Sequence, residues 1–277
     1  MSVDIDHLRT WIGSSETGSE PLTAMRVQQF NATFDRVSGD AAGDVAPLLI
    51  HFCLTQPTAP NAGLGPDGHP ARGGFLPPVP LPRRMWAGGE IVFHDDLRVG
   101  ETVTRRSTIR DVVLKEGRTG PLCFVTVDHE ITGDGRAVLS ERQDIVYREA
   151  TPSGPGTAPE PAATGAHSMR ITPSAPYLFR YSAMTFNGHR IHYDKPYVTE
   201  VEGYPGLIVH GPLQATLLCQ MASDLKGRRP ARFAFRSLSP IFDTVDFTVN
   251  ADEAETGLRL WTARLGGPVA MEATATW

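Results

Sequence analysis

The chain is short of the features that announce a function most directly. Its 277 residues include three cysteines, Cys53, Cys123 and Cys219, which lie far apart and show no zinc-ligand spacing. They read as buried thiols in a reducing compartment rather than as redox or metal-binding groups. There is no excess of basic residues: a formal net charge of −5 argues against a general nucleic-acid surface, which needs a basic face or stripe. No stretch approaches 18 apolar residues, and the opening MSVDIDHLRTW lacks a basic region followed by an apolar run. Membrane insertion is therefore not expected, and a cytoplasmic setting is. The Gly pairs at 73–74, 88–89 and 266–267 lack the flanking residues of a phosphate loop. The histidines form no recognised metal-ligand spacing, so no metal is expected either.

The chain does contain 23 prolines and 27 glycines, unevenly placed. TPSGPGTAPEPAATG (151–165) has little to bury and reads as a linker between an N-terminal half, 1–150, and a C-terminal half, 166–277. A second irregular stretch, 56–84, is long for a connection inside a compact domain. Such loops cover sites, mediate assembly or pack passively over a surface.

Between these stretches the periodicity changes. LTAMRVQQFNATFDRV (22–37) has helical spacing of apolar positions. EIVFHDD, ETVTRRSTIRDVVLK, PLCFVTVDHEITG and RAVLSERQDIVYRE alternate and are rich in β-branched residues, as antiparallel strands are, with hairpin connections at Lys115–Pro121 and Gly133-Asp134-Gly135. After the linker, GPLQATLLCQMASDL predicts a helix over about 211–223, with Leu213, Leu217, Leu218 and Met221 on one face and Gly227 as its stop. Four short strand-like segments follow, in ARFAFRSL, DTVDFTVNAD, GLRLWTARL and PVAMEATAT. A faint echo links the halves: Phe93 and Glu101-Thr102-Val103 recur as Phe235 and Asp243-Thr244-Val245, all at an offset of 142 residues, as duplication of one domain would require.

Two segments carry chemistry. YSAMTFNGHRIHYD (181–194) offers a proton-transfer group among side chains able to hold a water, and VHGPL (209–213) offers unpaired backbone N–H groups at a helix start. His192 is the general acid/base candidate, because an imidazole exchanges its proton near neutral pH. Asn187 cannot be a base, but its amide can orient a water through a donor and an acceptor. His189 either transfers protons, contacts substrate or supports His192. Asp194 either orients an imidazole or anchors the turn that follows. Arg190 presents a fork suited to a terminal carboxylate, or else a salt bridge that fixes the motif. Tyr181 either contacts substrate through its hydroxyl or packs beneath the motif, and His210 reads as a local packing or hydrogen-bonding residue. The basic cluster Lys226, Arg228 and Arg229 either meets the phosphates of a ligand or is a solvated helix exit.

These segments, with PLTAMRVQQFNATFDRV, RRMWAGGEIVFHDDLRVGETVTRRSTI and ERQDIVYRE, resemble the MaoC-like acyl-thioester hydratases and dehydratases, and within them the two-half subgroup acting on hydroxyacyl and 3-methylfumaryl thioesters. The resemblance implies an α+β double hotdog, antiparallel sheets packed around helices, with the first helix degraded and the catalytic half C-terminal. It also places the oxyanion donor at Gly211. The broad family's Asp-x-Asn-Pro-x-His motif falls here on Asn187, His189, Arg190 and His192, so the carboxylate of the usual carboxylate–imidazole pair is missing. The implied reaction is reversible hydration of an enoyl-CoA thioester, most concretely 3-methylfumaryl-CoA or a related branched dicarboxylic acyl-CoA. A general 3-hydroxyacyl-thioester dehydratase is the alternative of the same chemistry, and a noncatalytic acyl-CoA-binding subunit is the alternative of another class. Coenzyme A, contacted by Arg228 and Arg229, would belong to the substrate rather than serve as a cofactor, and a homodimer is left open.

Overall fold

A computed structural model describes residues 3–117, 120–150 and 160–277. In chain order the elements are α1 (Ile5–Arg9), β1 (Ser15–Pro21), α2 (Ala24–Phe34), β2 (Arg83–Phe93), β3 (Thr102–Gly117), β4 (Gly120–Gly133), β5 (Arg136–Arg148), β6 (His167–Ile171), α3 (Ala175–Met184), α4 (Gly211–Lys226), β7 (Arg232–Ser237), β8 (Phe247–Ala254), β9 (Gly257–Arg264) and β10 (Val269–Thr276). The ten strands form one antiparallel sheet in the order β1-β3-β4-β5-β2-β7-β10-β9-β8-β6. Each half's five strands thus join its partner's through β2 and β7, so the two expected sheets are continuous.

That joint carries the symmetry hinted at in the sequence. In the β2–β7 register Ile91 stands opposite Phe233, and these residues are themselves 142 positions apart. A two-fold axis through this pair exchanges β2 with β7, β5 with β10, β4 with β9, β3 with β8 and β1 with β6, and the strand order is the same read from either end. The joint is close because β2 lacks side chains there. A Cβ on Gly88 would stand 2.6 Å from the carbonyl oxygen of Phe235, and one on Gly89 would collide with the carbonyl of Arg142 and meet the Phe235 ring at 2.8 Å. Glycine inside a strand marks such a close approach.

The strands follow the alternation of the sequence with two exceptions. The β3–β4 pairing continues through Gly117↔Gly120, so most of the expected Lys115–Pro121 connection is strand, and its tip lies outside the described residues. The edge strands β1 (SETGSEP) and β6 (HSMRI) are largely exposed and carry no apolar alternation to reveal them. Residues 160–165, the described end of the expected linker, have no regular structure but dock on the C-terminal half. Ala162 N donates to Gly267 O and Trp261 Nε1 donates to Ala163 O.

The halves differ in what fills them. α4 starts with Pro212 in its first turn, ends on Gly227 at φ +67°, and buries Leu213, Leu217, Leu218, Cys219 and Ala222 against the sheet. Each buried leucine contributes roughly 1.5–3 kcal/mol relative to exposure. Met221 is only partly buried. The stretch 142 residues before α4 is 69–84, which contains Pro70, Pro77, Pro78, Pro80 and Pro82, and proline inside a helix removes a hydrogen bond and clashes with the preceding turn. This segment therefore runs as irregular chain, and Val79 and Leu81, with Leu8 of α1, cover Ile109, Val112, Val125 and Tyr147 of the N-terminal strands. α2 is not the missing helix. It packs on α3, with Phe34 edge-on to Tyr177 and Tyr181 at 6.1 and 6.0 Å between ring centroids. All three cysteines are free and buried, and burial pushes the Cys53 thiol up to about 12. Among the described residues no helix is long and apolar enough to cross a membrane.

Gly89→Val tests the joint between the halves. Its side chain must displace the Arg142 backbone or the Phe235 ring, so chemical denaturation should show a loss of about 1–3 kcal/mol. Val substituted at the exposed Gly74, where an added Cβ meets nothing within 4 Å and the backbone is not left-handed, provides the control for glycine replacement alone.

Candidate active site

The C-terminal end of α3 leads directly into the histidine motif. Phe186 takes φ +48°, breaking the helix, and Asn187 N donates to Ser182 O. Asn187 Oδ1 then accepts from His189 N at 3.0 Å, closing a local turn. A single 3₁₀ turn, Arg190–His192, aims the His192 ring inward.

His192 is buried, and its Nδ1 lies 2.7 Å from the carbonyl oxygen of Ile208. A carbonyl only accepts, so Nδ1 carries the hydrogen and Nε2 keeps a lone pair for which the described residues offer no partner. Burial lowers the imidazole pKa to about 4, against the opposing effect of the Ile208 bond, so His192 is neutral at neutral pH. His210 stacks on it at 3.7 Å between centroids and 18° between planes. His210 Nε2 is hydrogen-bonded to Ser182 Oγ at 2.7 Å, while its buried Nδ1 has no partner among the described residues. Burial and then the charge of a protonated His192 hold His210 well below its ordinary pKa.

His210 is also the residue that caps α4, without a side-chain hydrogen bond to the helix. The Gly211 N–H follows it with no acceptor among the described residues, and Pro212 has no N–H to compete. Gly211 is required by shape, because a Cβ there would come within 2.7 Å of Cε3 of Trp86. Trp86 belongs to β2 and stacks on Phe235 at 4.4 Å, so a residue of the N-terminal half packs against the start of α4.

The remaining expected residues divide. Tyr181 lies beneath the motif, 1% exposed and edge-on to His210 at 4.9 Å, and its hydroxyl has no partner within hydrogen-bond geometry among the described residues. It touches the back of the site rather than its opening. Arg190 Nε is 2.9 Å from Asp194 Oδ2, its Nη1 donates to Pro66 O at 3.0 Å, and its guanidinium lies 4.0 Å over the Tyr197 ring. The fork is thus occupied by the protein, and Asp194 anchors it while accepting from Tyr197 N. Arg228 and Arg229 are not brought to this place. They follow the far end of the 16-residue α4, ~24 Å along its axis, and Arg229 pairs with Asp96 at 3.1 Å. Arg228 lines a separate open cavity of about 430 Å³ with Lys226 and Trp277.

The structure adds residues that spacing did not reveal. The loop Gly65–His69 from the N-terminal half docks on the motif: Arg190 N donates to Asp67 O at 2.9 Å, and a Cβ on Gly68 would collide with Gly188 O. His69 stands 4.0 Å from His189 between ring centroids, and His189 is edge-on to His192 at 5.4 Å. Asp67, His69 and His189 each place one ligand atom within 4.8 Å of the others, a spacing able to hold a metal ion. Asp67 and His69 form a hydrogen-bonded pair, with His69 N and Nδ1 engaging the two Asp67 oxygens at 3.1 and 3.2 Å, and the His189 ring lies against His69 without a hydrogen bond to it among the described residues. The signal in the sequence was a repeated dipeptide, Gly68-His69 and Gly188-His189, whose glycines make the backbone contact.

The whole arrangement is that of a hotdog acyl-thioester hydratase or dehydratase, with an inward imidazole beside the first N–H groups of the central helix. The chain belongs to the hydroxyacyl-thioester dehydratase type 2 family, whose model matches residues 49–243. It is 44% identical over 246 residues to the mesaconyl-C(4)-CoA hydratase of Chloroflexus aurantiacus, covering 87% of each protein. It is 26% identical over 245 residues to the mitochondrial hydroxyacyl-thioester dehydratase type 2 of Schizosaccharomyces pombe, covering 77% of this chain and 79% of that one. Among solved structures, a MaoC-like dehydratase superposes with a TM-score of 0.70 at 14% identity, covering 98% of this chain and 100% of that one. A double-hotdog protein of Mycobacterium tuberculosis superposes with a TM-score of 0.58 at 12% identity, covering 96% of each. The double hotdog fold is thereby shared.

Gly68→Ala should loosen the docked loop, since both its φ of +86° and the Gly188 carbonyl oppose a side chain. The expected result is a stability loss of about 1–3 kcal/mol, with faster amide exchange confined to the loop and the histidine motif, read by hydrogen–deuterium exchange mass spectrometry.

Proposed function

We propose that the protein catalyses reversible addition of water to the double bond of an enoyl-CoA thioester, with 3-methylfumaryl-CoA or a related branched dicarboxylic acyl-CoA as substrate. The observation that carries the reaction is the neutral His192, its tautomer set by Ile208 and its Nε2 free, next to the unpaired Gly211 N–H. The substrate class rests on the 44% identity to a mesaconyl-C(4)-CoA hydratase. Coenzyme A enters as part of the substrate. A cytoplasmic location and a homodimer belong to the same proposal.

In the hydration direction, His192 Nε2 removes a proton from a water that the Asn187 amide helps to orient, and the oxygen bonds to the β-carbon. Negative charge moves to the thioester oxygen, where the Gly211 N–H stabilises it. Protonation at the α-carbon completes the addition, and dehydration is the reverse. Trp86 packs against the start of α4, an apolar wall beside which such contacts act more strongly than in water.

His192→Ala should lower kcat for 3-methylfumaryl-CoA by about 10²–10⁴-fold while leaving the folding spectrum unchanged. Loss of enoyl absorbance and product mass measure this, and an unaltered rate rejects the assignment.

Arg190→Met separates two roles for that side chain. If Arg190 reads a distal carboxylate, the variant loses the preference for 3-methylfumaryl-CoA over crotonyl-CoA. If it serves the frame, as its bonds to Asp194 and Pro66 favour, both substrates slow alike and thermal stability drops by about 1 kcal/mol or more.

A further inference from the structure

A dicarboxylic substrate brings a second negative charge to the site, and the protein has to leave a receiver free for it. Most guanidiniums around the histidine motif are not free. Arg190 is bonded to Asp194 and to Pro66 O. Arg72 donates through Nη1 to the carbonyl oxygens of Val79 and Leu81 and through Nη2 to that of Pro82, each at 2.6 Å. Arg83 pairs with Glu202 and lies 5.1 Å over the Tyr204 ring. Arg84 is the exception. Among the described residues its guanidinium has no carboxylate partner and no hydrogen bond of ordinary geometry.

Strand alternation places this side chain. Arg84 and Trp86 lie on one face of β2, two residues and about 6.6 Å apart, while Met85 between them is exposed on the other face. Trp86 is the residue that packs on Gly211 at the start of α4. Opposite Arg84 in the β2–β5 register stands Tyr147. The Tyr147 ring carries Arg72 at 5.6 Å, and its buried hydroxyl has no partner within hydrogen-bond geometry among the described residues. Arg72 continues the docked loop three residues after His69, and His69 lies against His189 at 4.0 Å. Arg84 thus sits between the helix start and the docked loop. Burial first lowers the pKa of His69 and of His189, and the charge of Arg84 adds to the effect at both, which puts the guanidinium within electrostatic reach of the two rings. The docked loop brings one carboxylate, Asp67, and His69 N and Nδ1 engage it. A half-buried charge loses hydration that pairing ordinarily restores, so an unpaired Arg84 leaves a place for an anion from outside the chain.

Resting on the hydratase reading, we propose that Arg84 receives the distal carboxylate of the dicarboxylic acyl-CoA and sets the preference for such substrates. In 3-methylfumaryl-CoA that carboxylate is carried by the β-carbon, the carbon to which water adds. With the thioester oxygen at the Gly211 N–H and the β-carbon before His192, the carboxylate extends past Trp86 to Arg84, and the guanidinium fork closes on both of its oxygens. The ion pair also offsets negative charge beside the carbon that the incoming oxygen attacks. No bond is made or broken at Arg84, which determines specificity and transfers no proton.

The test uses pairs of thioesters that differ only in a methyl group replacing the carboxylate. Succinyl-CoA and butyryl-CoA have no double bond to hydrate, so calorimetric titration reads their binding without turnover. 3-Methylfumaryl-CoA and 3-methylcrotonyl-CoA give the same comparison in kcat/KM. Wild type should favour the carboxylate-bearing member of each pair. Arg84→Met, which keeps an apolar stem and removes the fork, should cut that preference by about 10–10²-fold in both ratios, with the melting temperature as the check on folding. Arg84→Lys, which keeps the charge, should retain part of it, and Arg190→Met, acting through the frame, should keep it. A preference unchanged in both Arg84 variants overturns the proposal, as does one that falls in Arg190→Met instead. Equal affinity of wild type for both members of a pair overturns it too. So does equal weakening of both by Arg84→Met, since a role toward coenzyme A or toward the fold acts on the two alike. If wild type hydrates no enoyl-CoA, the hydratase reading fails, and the saturated pair still decides whether Arg84 receives a carboxylate.

Discussion

The antiparallel pairing of β2 with β7 is the constraint on which the rest of the molecule depends. It places two five-stranded halves about a local two-fold axis and makes their strands one sheet. Its closeness is set by Gly88 and Gly89, and just before them on β2 the bulge between Trp86 and Gly88 re-aims the strand. Trp86 then reaches Phe235 across the joint and meets the start of α4. A loss of register at this one ladder would therefore displace the wall beside Gly211 as well as divide the sheet.

On either side of the axis the halves have taken different tasks. The C-terminal half keeps a helix inside its sheet, and the helix start supplies donors beside His192. The N-terminal half has a proline-rich irregular segment where its counterpart would have a helix, and closes its smaller core with Val79, Leu81 and Tyr147. The same freedom from helical geometry lets residues 65–69 leave their own half and dock on the other's histidine motif. The N-terminal half also holds a buried imidazole–carboxylate contact, His51 with Glu141 at 3.3 Å.

Much of this was legible in residue order, for physical reasons that differ from place to place. Strands β2–β5 and β7–β10 alternate because one face is buried, and α4 shows its start and stop through Pro212 and Gly227. The offset of Phe93 and Phe235 was enough to suggest the pseudo-symmetry. What escaped was whatever lacked a local period. The edge strands β1 and β6 are held by backbone pairing with little apolar burial. The docking of Asp67 and His69 joins residues more than a hundred positions apart, through backbone contacts that only glycine permits. For Arg190 residue order left two roles open, a ligand for a substrate carboxylate and a salt bridge fixing the motif, and the structure shows the second, with Asp194 and Pro66 folding back onto it. Arg228 and Arg229 are close in sequence to the motif-bearing helix, yet the length of α4 carries them to its other end.

The covalent connection of the halves has a consequence for how the site is sustained. Two separate copies of such a half could form this sheet only at a concentration exceeding their dissociation constant, and each would have to carry the entire site. Within one chain the partner is always present at a high effective concentration. Dilution then cannot dissociate the Asp67 loop from the His192 motif, and residues on one side of the axis can diverge without copying the change to the other. A site built from two different halves becomes available to a fold whose geometry is still that of a pair.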